Sequence, residues 1–292
     1  MNILTFDIEE WALAESNGYG TKERYSLYEG CLHNILESLD HLGIKSTFFC
    51  TGQMASCFPH IVQQIHGRGH EIGCHSNIHN WLNKMTISEC REDTRIAIDR
   101  LEQCIGQKVK SYRAPAFSIG EDNLWAFEIL VENGIERDSS IFPARRDFGG
   151  FPNFCQQHPS LIQYGGVTLK EFPIAMATLF GRHVAYSGGG YFRFFPLSFV
   201  KSSMENTDYA IFYFHIGDLI PESHGFMSKE AYEDYFKEPG TIMARYSRYI
   251  KSNLGKKSAF SKMQRLVSSG RFISLIEADI IIDWTKVPVV GF

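Results

Sequence analysis

Short apolar runs alternate with helix-patterned segments through the first half of this 292-residue chain, and that rhythm constrains its fold more than any other feature. Residues 3–8 read as a buried strand. Residues 28–42 carry Leu32, Ile35, Leu36 and Leu39 at helical spacing and stop at Gly43, and 45–51 is the next strand. Pro59 opens a helix that ends near Gly67 and Gly69, and 70–74 is a short strand. Thr86 and Glu89 form a capping-box pattern, which starts a helix that stops at Gly106. Residues 109–112 then read as a strand, 121–133 as a helix, and Ile135 begins another strand-like turn. Parallel strands need a crossover between them and a helix is the usual one, so consecutive strand-helix units predict a parallel sheet or barrel.

Between 143 and 200 the text changes to Pro, Gly and aromatic residues, which predicts a loop-rich insertion with antiparallel strands. Residues 209–214 are strand-like, 229–253 and 258–269 helical, and 272–276 a final strand. No linker divides the chain, so residues 1–292 are expected to form a single α/β domain.

Composition removes several classes. Hydrophobic residues at 44% and charged residues at 21% are globular values, and a net charge of -4 without a basic run argues against nucleic acid as a partner. Seven cysteines, an odd number without CxxC spacing, predict reduced thiols. Together with an N-terminus that lacks an export pattern, they suggest a cytoplasmic location. The uncharged stretch 151–169 contains Gln156, Gln157 and His158, so no transmembrane helix is expected there. The apolar tail from Ile280 is expected to pack on the domain. The sequence leaves the oligomeric state open.

In parallel α/β frames the functional groups gather at the carboxyl ends of the strands. The polar residues that follow the predicted strands are Asp7, Glu9 and Glu10, then His75 and His79, then Arg113, then His215. His75 and His79 are four apart, and a helical or turn backbone would let both imidazoles share one divalent metal ion, with zinc the chemical default. A carboxylate would complete the set. Asp7 and Glu9, two apart on an extended backbone, share a face, whereas Glu10 points away. One acid would then bind the ion while the other takes a proton from water. Arg113, a permanent cation, can hold a catalytic carboxylate oriented. His215 is the candidate proton donor to a leaving amine, and Asp138 the candidate acceptor for its other ring proton. The aromatic residues Trp11, Trp81, Phe117, Tyr191 and Phe192 lie near these motifs and are candidates for stacking on a sugar, with Arg193 nearby for a phosphate or carboxylate.

These residues in this order resemble the NodB-type polysaccharide deacetylases, carbohydrate esterase family four. The matching pieces are Leu4 to Trp11, Gly69 to His79, Tyr112 to Phe117, Asp138-Ser139 and Phe214-His215. Ser187 to Arg193 further resembles the subgroup found among cytoplasmic deacetylases of cell-surface glycans. The resemblance implies a distorted (β/α) barrel of about seven strands and metal-dependent removal of an N-acetyl group from an aminosugar in a polysaccharide or glycan precursor. It also implies Asp7 as general base, positioned by Arg113; Glu9, His75 and His79 as metal ligands; the N–H near Ala116 as oxyanion donor; and His215 as general acid tuned by Asp138. Ile8 separates the two acids where the commonest pattern has adjacent aspartates, so the ligand is Glu9 or Glu10. The rival functions are an amidohydrolase of a small non-sugar amide and a silent glycan-binding protein.

Overall fold

The computed structural model describes residues 1–146, 149–222, 225–236 and 238–292. Its strands are β1 (Asn2–Ile8), β2 (Thr47–Cys50), β3 (Glu71–Cys74), β4 (Ser111–Tyr112), β5 (Arg137–Asp138), β6 (Ser160–Tyr164), β7 (Val167–Glu171), β8 (Met176–Leu179), β9 (Arg182–Ala185), β10 (Ala210–His215), β11 (Phe272–Ile273) and β12 (Val289–Gly291). The helices are α1 (Glu10–Ser16), α2 (Lys22–Leu42), α3 (Gly52–Cys57), α4 (Pro59–Gly67), α5 (Ile87–Ile105), α6 (Ala126–Glu132), α7 (Gly189–Phe194), α8 (Leu197–Glu205), α9 (Ile216–Leu219), α10 (Lys229–Phe236), α11 (Ile242–Asn253), α12 (Lys256–Val267) and α13 (Leu275–Ile281).

The main sheet runs β10-β1-β2-β3-β4-β5-β7-β6-β12, with β11 beside the amino end of β1. Among the described residues the seven strands from β10 to β7 are parallel neighbours, as expected for the barrel, and β6 and β7 are antiparallel. The chain after β7 returns to β10. Tyr209 Oη donates to the Pro173 carbonyl at 2.8 Å, and Gly188 forms a single bridge to Tyr213. A Cβ at Gly188 would stand 2.3 Å from the Tyr213 ring, so only glycine lets these two backbones approach.

Both faces of the parallel strands are covered, which is why β1 and β10 are buried almost end to end. Phe6 stacks on Phe48 with ring centroids 4.8 Å apart, and Phe192 meets Phe214 edge-on at 4.9 Å. Each such ring taken wholly from water contributes roughly 1.5–3 kcal/mol.

The caps act as expected at Gly43, Gly106 and the Thr86–Glu89 capping box. Two segments differ. The helical pattern of 229–253 is two helices, because Pro239 and Gly240 interrupt it. The strand expected at 272–276 stops at Ile273, because Ser274 and Glu277 form a second capping box and start α13. The tail returns to the sheet through β12, although Ile280 and Ile281 remain exposed.

Candidate active site

The carboxyl ends of β1, β3, β4 and β10 meet at one rim, where a cleft of about 430 Å³ is lined by Asp7, Glu9, His75, His79, Ala116 and His215, among others. In parallel register Asp7 lies beside His215. The loop after β3 turns through left-handed backbone at Ser76 and His79. It thereby returns His79 to within 5.3 Å of the His75 ring. Non-glycine residues held at positive φ cost of order 1–3 kcal/mol each and persist where the surroundings enforce them.

Glu9 Oε2 lies 3.1 Å from His75 Nε2 and 2.8 Å from His79 Nε2. The other nitrogen of His75, Nδ1, donates to the Arg113 carbonyl at 2.6 Å. A carbonyl only accepts, so a proton is fixed on Nδ1, and in a neutral imidazole Nε2 then presents its lone pair to Glu9 Oε2. Two acceptors facing each other, with Glu9 Oε2 buried and without a hydrogen-bond donor, are what a divalent cation would reconcile. Two imidazoles and one carboxylate, all ligand atoms within 4.8 Å, fit such an ion. Burial pushes the Glu9 carboxyl up, but the positive potential of His79 and the other neighbouring imidazoles outweighs it and holds its pKa well below the usual range.

Glu10 is settled as well. Its Oε1 accepts from the Gly217 N–H at 2.6 Å, tying α1 to the start of α9, away from the two imidazoles. Burial and the neighbouring Glu9 charge push its pKa up to about 7. The carboxylate beside the histidines is Glu9.

Asp7 faces Arg113, whose Nη1 donates to Asp7 Oδ1 at 2.9 Å and to Thr5 Oγ1 at 2.7 Å. Arg113 Nη2 donates to Ser139 Oγ and Nε to the Ser139 carbonyl. Its plane also lies over the Phe49 ring at 4.3 Å. This guanidinium is fully buried, so it depends on Asp7 for charge balance. Breaking a buried pair from one side typically costs about 3–5 kcal/mol.

His215 Nε2 points into the cleft, 3.7 Å from Asp7 Oδ2 and 3.8 Å from Glu9 Oε1. Its Nδ1 donates to Asp218 Oδ2 at 3.1 Å. Burial lowers the His215 pKa, but the Asp218 hydrogen bond and the Glu9, Asp218 and Asp7 charges prevail and push it up to about 10. Asp218 in turn is paired with Arg193 Nη2 at 3.2 Å. Its own pKa, raised by burial, ends below the usual range because of His215 and Arg193.

Three expectations are therefore corrected. Asp138 does not touch His215: it is fully buried and accepts from Ser140 Oγ at 2.5 Å, and its neighbour is the equally buried Glu171. Its strand, β5, lies three strands beyond β2 in the sheet, whereas β10 pairs with β1. Arg193 lines the cleft, but besides Asp218 it donates to the carbonyls of Ser252 and Lys251. A guanidinium spent on these partners holds Asp218 rather than a substrate anion. Phe117 is only 4% exposed and packs edge-on against Tyr213 at 4.9 Å, so its part is mainly structural. Trp11 and Phe192 are likewise core, whereas Trp81 and Tyr191 line the cleft. Ala116 reaches the cleft wall on left-handed backbone, φ 54°.

Asp218 was missed by sequence reasoning, although the signal was there. His215 and Asp218 are three apart at the opening of α9, a spacing that stacks two side chains on one helix face.

Comparison with known proteins agrees with the fold. Residues 3–130 match the family described as polysaccharide deacetylase, and residues 139–278 match a domain of unknown function, DUF3473. A peptidoglycan-N-acetylglucosamine deacetylase of Bacillus cereus is 32% identical over 127 residues, 41% of this chain and 46% of that protein. A bifunctional xylanase/deacetylase of Pseudobutyrivibrio xylanivorans is 33% identical over 86 residues, 29% of this chain and 14% of that protein. The chain thus spans less than half the length of these curated relatives. Among solved structures, a Mycobacterium smegmatis protein assigned to the polysaccharide deacetylases superposes with a TM-score of 0.56 at 18% identity, covering 92% of this chain and 90% of the other. The Puue allantoinase superposes at 0.57 and 14% identity, covering 94% and 87%. These superpositions agree with an α/β barrel fold. Residues 3–130 are thus similar to the polysaccharide deacetylase family, in line with the resemblance carried by the motifs.

Proposed function

We propose that this chain is a metal-dependent hydrolase that removes an N-acetyl group from an aminosugar in a polysaccharide or glycan precursor. The observation that carries the reading is the convergence of Glu9 Oε2 with His75 Nε2 and His79 Nε2, with Asp7 and His215 on the same rim. The Bacillus cereus relative, whose name gives N-acetylglucosamine of peptidoglycan as its substrate, supports the choice of sugar class. Glu9, His75 and His79 would hold the ion, and zinc suits two imidazoles and a carboxylate. Such an ion polarises a carbonyl oxygen and acidifies water.

The protein's own groups do the rest. Asp7, fixed by Arg113, takes the proton from the attacking water. The Ala116 N–H on the cleft wall faces the oxygen that becomes negative as the carbonyl is attacked. His215 Nε2 gives a proton to the departing amine, while Asp218 keeps Nδ1 protonated and the ring in place, an arrangement analogous to a triad's orienter. Trp81 and Tyr191 offer faces for a sugar ring. A cytoplasmic location belongs to the same proposal and is supported by seven cysteines that are all free.

The test is acetate release from N-acetylated glucosamine oligosaccharides with added zinc, run beside a ureide to separate the small-amide chemistry. Asp7→Asn and His215→Ala should each lower turnover by ~10²–10⁴-fold. Asparagine is preferred at position 7 because alanine would leave Arg113 buried without a partner. Full turnover in either variant, or cleavage of the ureide alone, rejects the proposal.

A further inference from the structure

Helix α11 is built inside out. Arg248 and Ser252 line the candidate-site cleft, and they line a second cleft beside it together with Arg245. The two guanidiniums lie over the rings of Phe226 and Phe236, at 5.0 and 4.4 Å. The apolar side chains Ile242, Met243, Tyr246, Ile250 and Leu254 are instead exposed, Ile242 at 71% and Met243 at 80%, whereas Tyr249 meets Phe226 edge-on at the cleft. At 3.6 residues per turn these five fall within one arc of about 120°. A surface helix ordinarily turns such a stripe to the core, yet α11 buries none of its residues. An exposed stripe of this length marks an interaction surface.

Charge selects what covers it. Residues 239–276 hold eight lysines and arginines and no aspartate or glutamate, in a chain whose net charge is -4; Arg245 and Arg248 face the clefts and Lys256 is buried, while Lys251, Lys257, Arg265 and Arg271 are exposed. Lys251 and Lys257 of this segment are exposed at the carboxyl end of the stripe. A second copy docked through α11 would bring two such segments together, and like charges oppose that pairing. An anionic lipid surface is attracted by the same field and gains from the apolar arc. Tyr246 adds a ring of the kind that settles at headgroup level. With ~1.5 Å of rise per residue, 12 residues reach about 18 Å, so α11 can lie on a bilayer but not cross it.

We propose that α11 docks this chain on an anionic bilayer, with the 242–254 stripe at the acyl boundary and the arginine face turned to the cleft. Docking would bring the cleft alongside the surface that carries lipid-linked material. The inference does not rest on the proposed catalysis, since it concerns binding and not turnover.

The full chain is mixed at low salt with vesicles of phosphatidylcholine alone or phosphatidylcholine with an equal amount of phosphatidylglycerol, then sedimented. The expected result is pelleting with the anionic vesicles, weakened by salt, and a roughly tenfold or greater loss of partition for the double variant Met243→Glu, Ile250→Glu. The variant should keep its far-ultraviolet circular dichroism and its hydrolysis of a soluble substrate. Three results would overturn the proposal. The chain could stay in the supernatant with anionic vesicles, the double variant could pellet as well as the parent, or light scattering could show a dimer that the double variant splits, which would assign the stripe to a second copy.

Discussion

Asp218 is the residue whose removal tests the catalytic geometry most sharply. Its Oδ2 accepts the Nδ1 proton of His215 at 3.1 Å, and its Oδ1 is held by Arg193 at 3.2 Å. Asp218→Asn keeps the shape and an acceptor oxygen but removes the charge. A hydrogen bond to a charged partner is worth about 1.5–3 kcal/mol, and at about 1.4 kcal/mol per tenfold this predicts a ~10–100-fold fall in kcat. The sign of the pH effect follows from the same contact. Asp218 supplies the first of the influences that raise the His215 pKa to about 10, so its loss lowers that pKa. The rate of a step that needs protonated His215 then falls off at lower pH than in the parent. Arg193→Ala, which frees Asp218 to move, should show a weaker form of the same shift with little change in KM. Combining Asp218→Asn with His215→Ala should cost no more than His215→Ala alone, because the two act as a unit. Steady-state kinetics on an N-acetylated oligosaccharide across pH decides the matter. If Asp218→Asn left kcat and its alkaline limb untouched while Asp138→Asn moved both, the assignment of the orienting carboxylate would be wrong.

Other outcomes follow from the same distances. His75→Ala leaves two ligands and a displaced Arg113 carbonyl contact, so bound metal per chain should drop well below that of the parent in an elemental assay; undiminished loading would remove His75 from the ligand set. Glu171 is pushed well above the usual carboxylate range by burial and by its neighbour Asp138. A raised folded-state pKa contributes stability that is complete below the unfolded value, ~4.3, and is lost as pH rises through the folded value. Glu171→Gln keeps an oxygen for the Ile141 N–H and cannot ionise, so its melting temperature should exceed the parent's on the alkaline side and vary less with pH. A parallel pH dependence in both proteins would refute this. Gly188→Ala sets a methyl against the Tyr213 ring and carbonyl where residue 188 bridges to β10, and thermal unfolding should register a loss of about 1–3 kcal/mol.

Much of the site was legible in the sequence because its residues follow strands directly. Asp7, Glu9, His75, Arg113 and His215 each sit within a residue or two of the end of an apolar run, and parallel pairing brings such ends to one rim. Total charge was a poorer guide. A net value of -4 conceals the acid-free segment 239–276, and the periodicity of α11 reveals a stripe without saying which way it faces.

The sequence by itself determined the alternation of strands and helices, the caps that end them and the four-residue spacing of His75 and His79, because these depend on local backbone preferences and on side-chain period. Tertiary structure decided which carboxylate meets which imidazole. Asp138 is near His215 only in the order of motifs; the sheet puts it beside Glu171, while the first turn of α9 delivers Asp218 to the imidazole. It also spent Arg193 on Asp218 and turned the arginines of α11 toward the clefts. Partner choice among polar groups depends on distances of a few ångströms between elements far apart in the chain, and only packing fixes those distances.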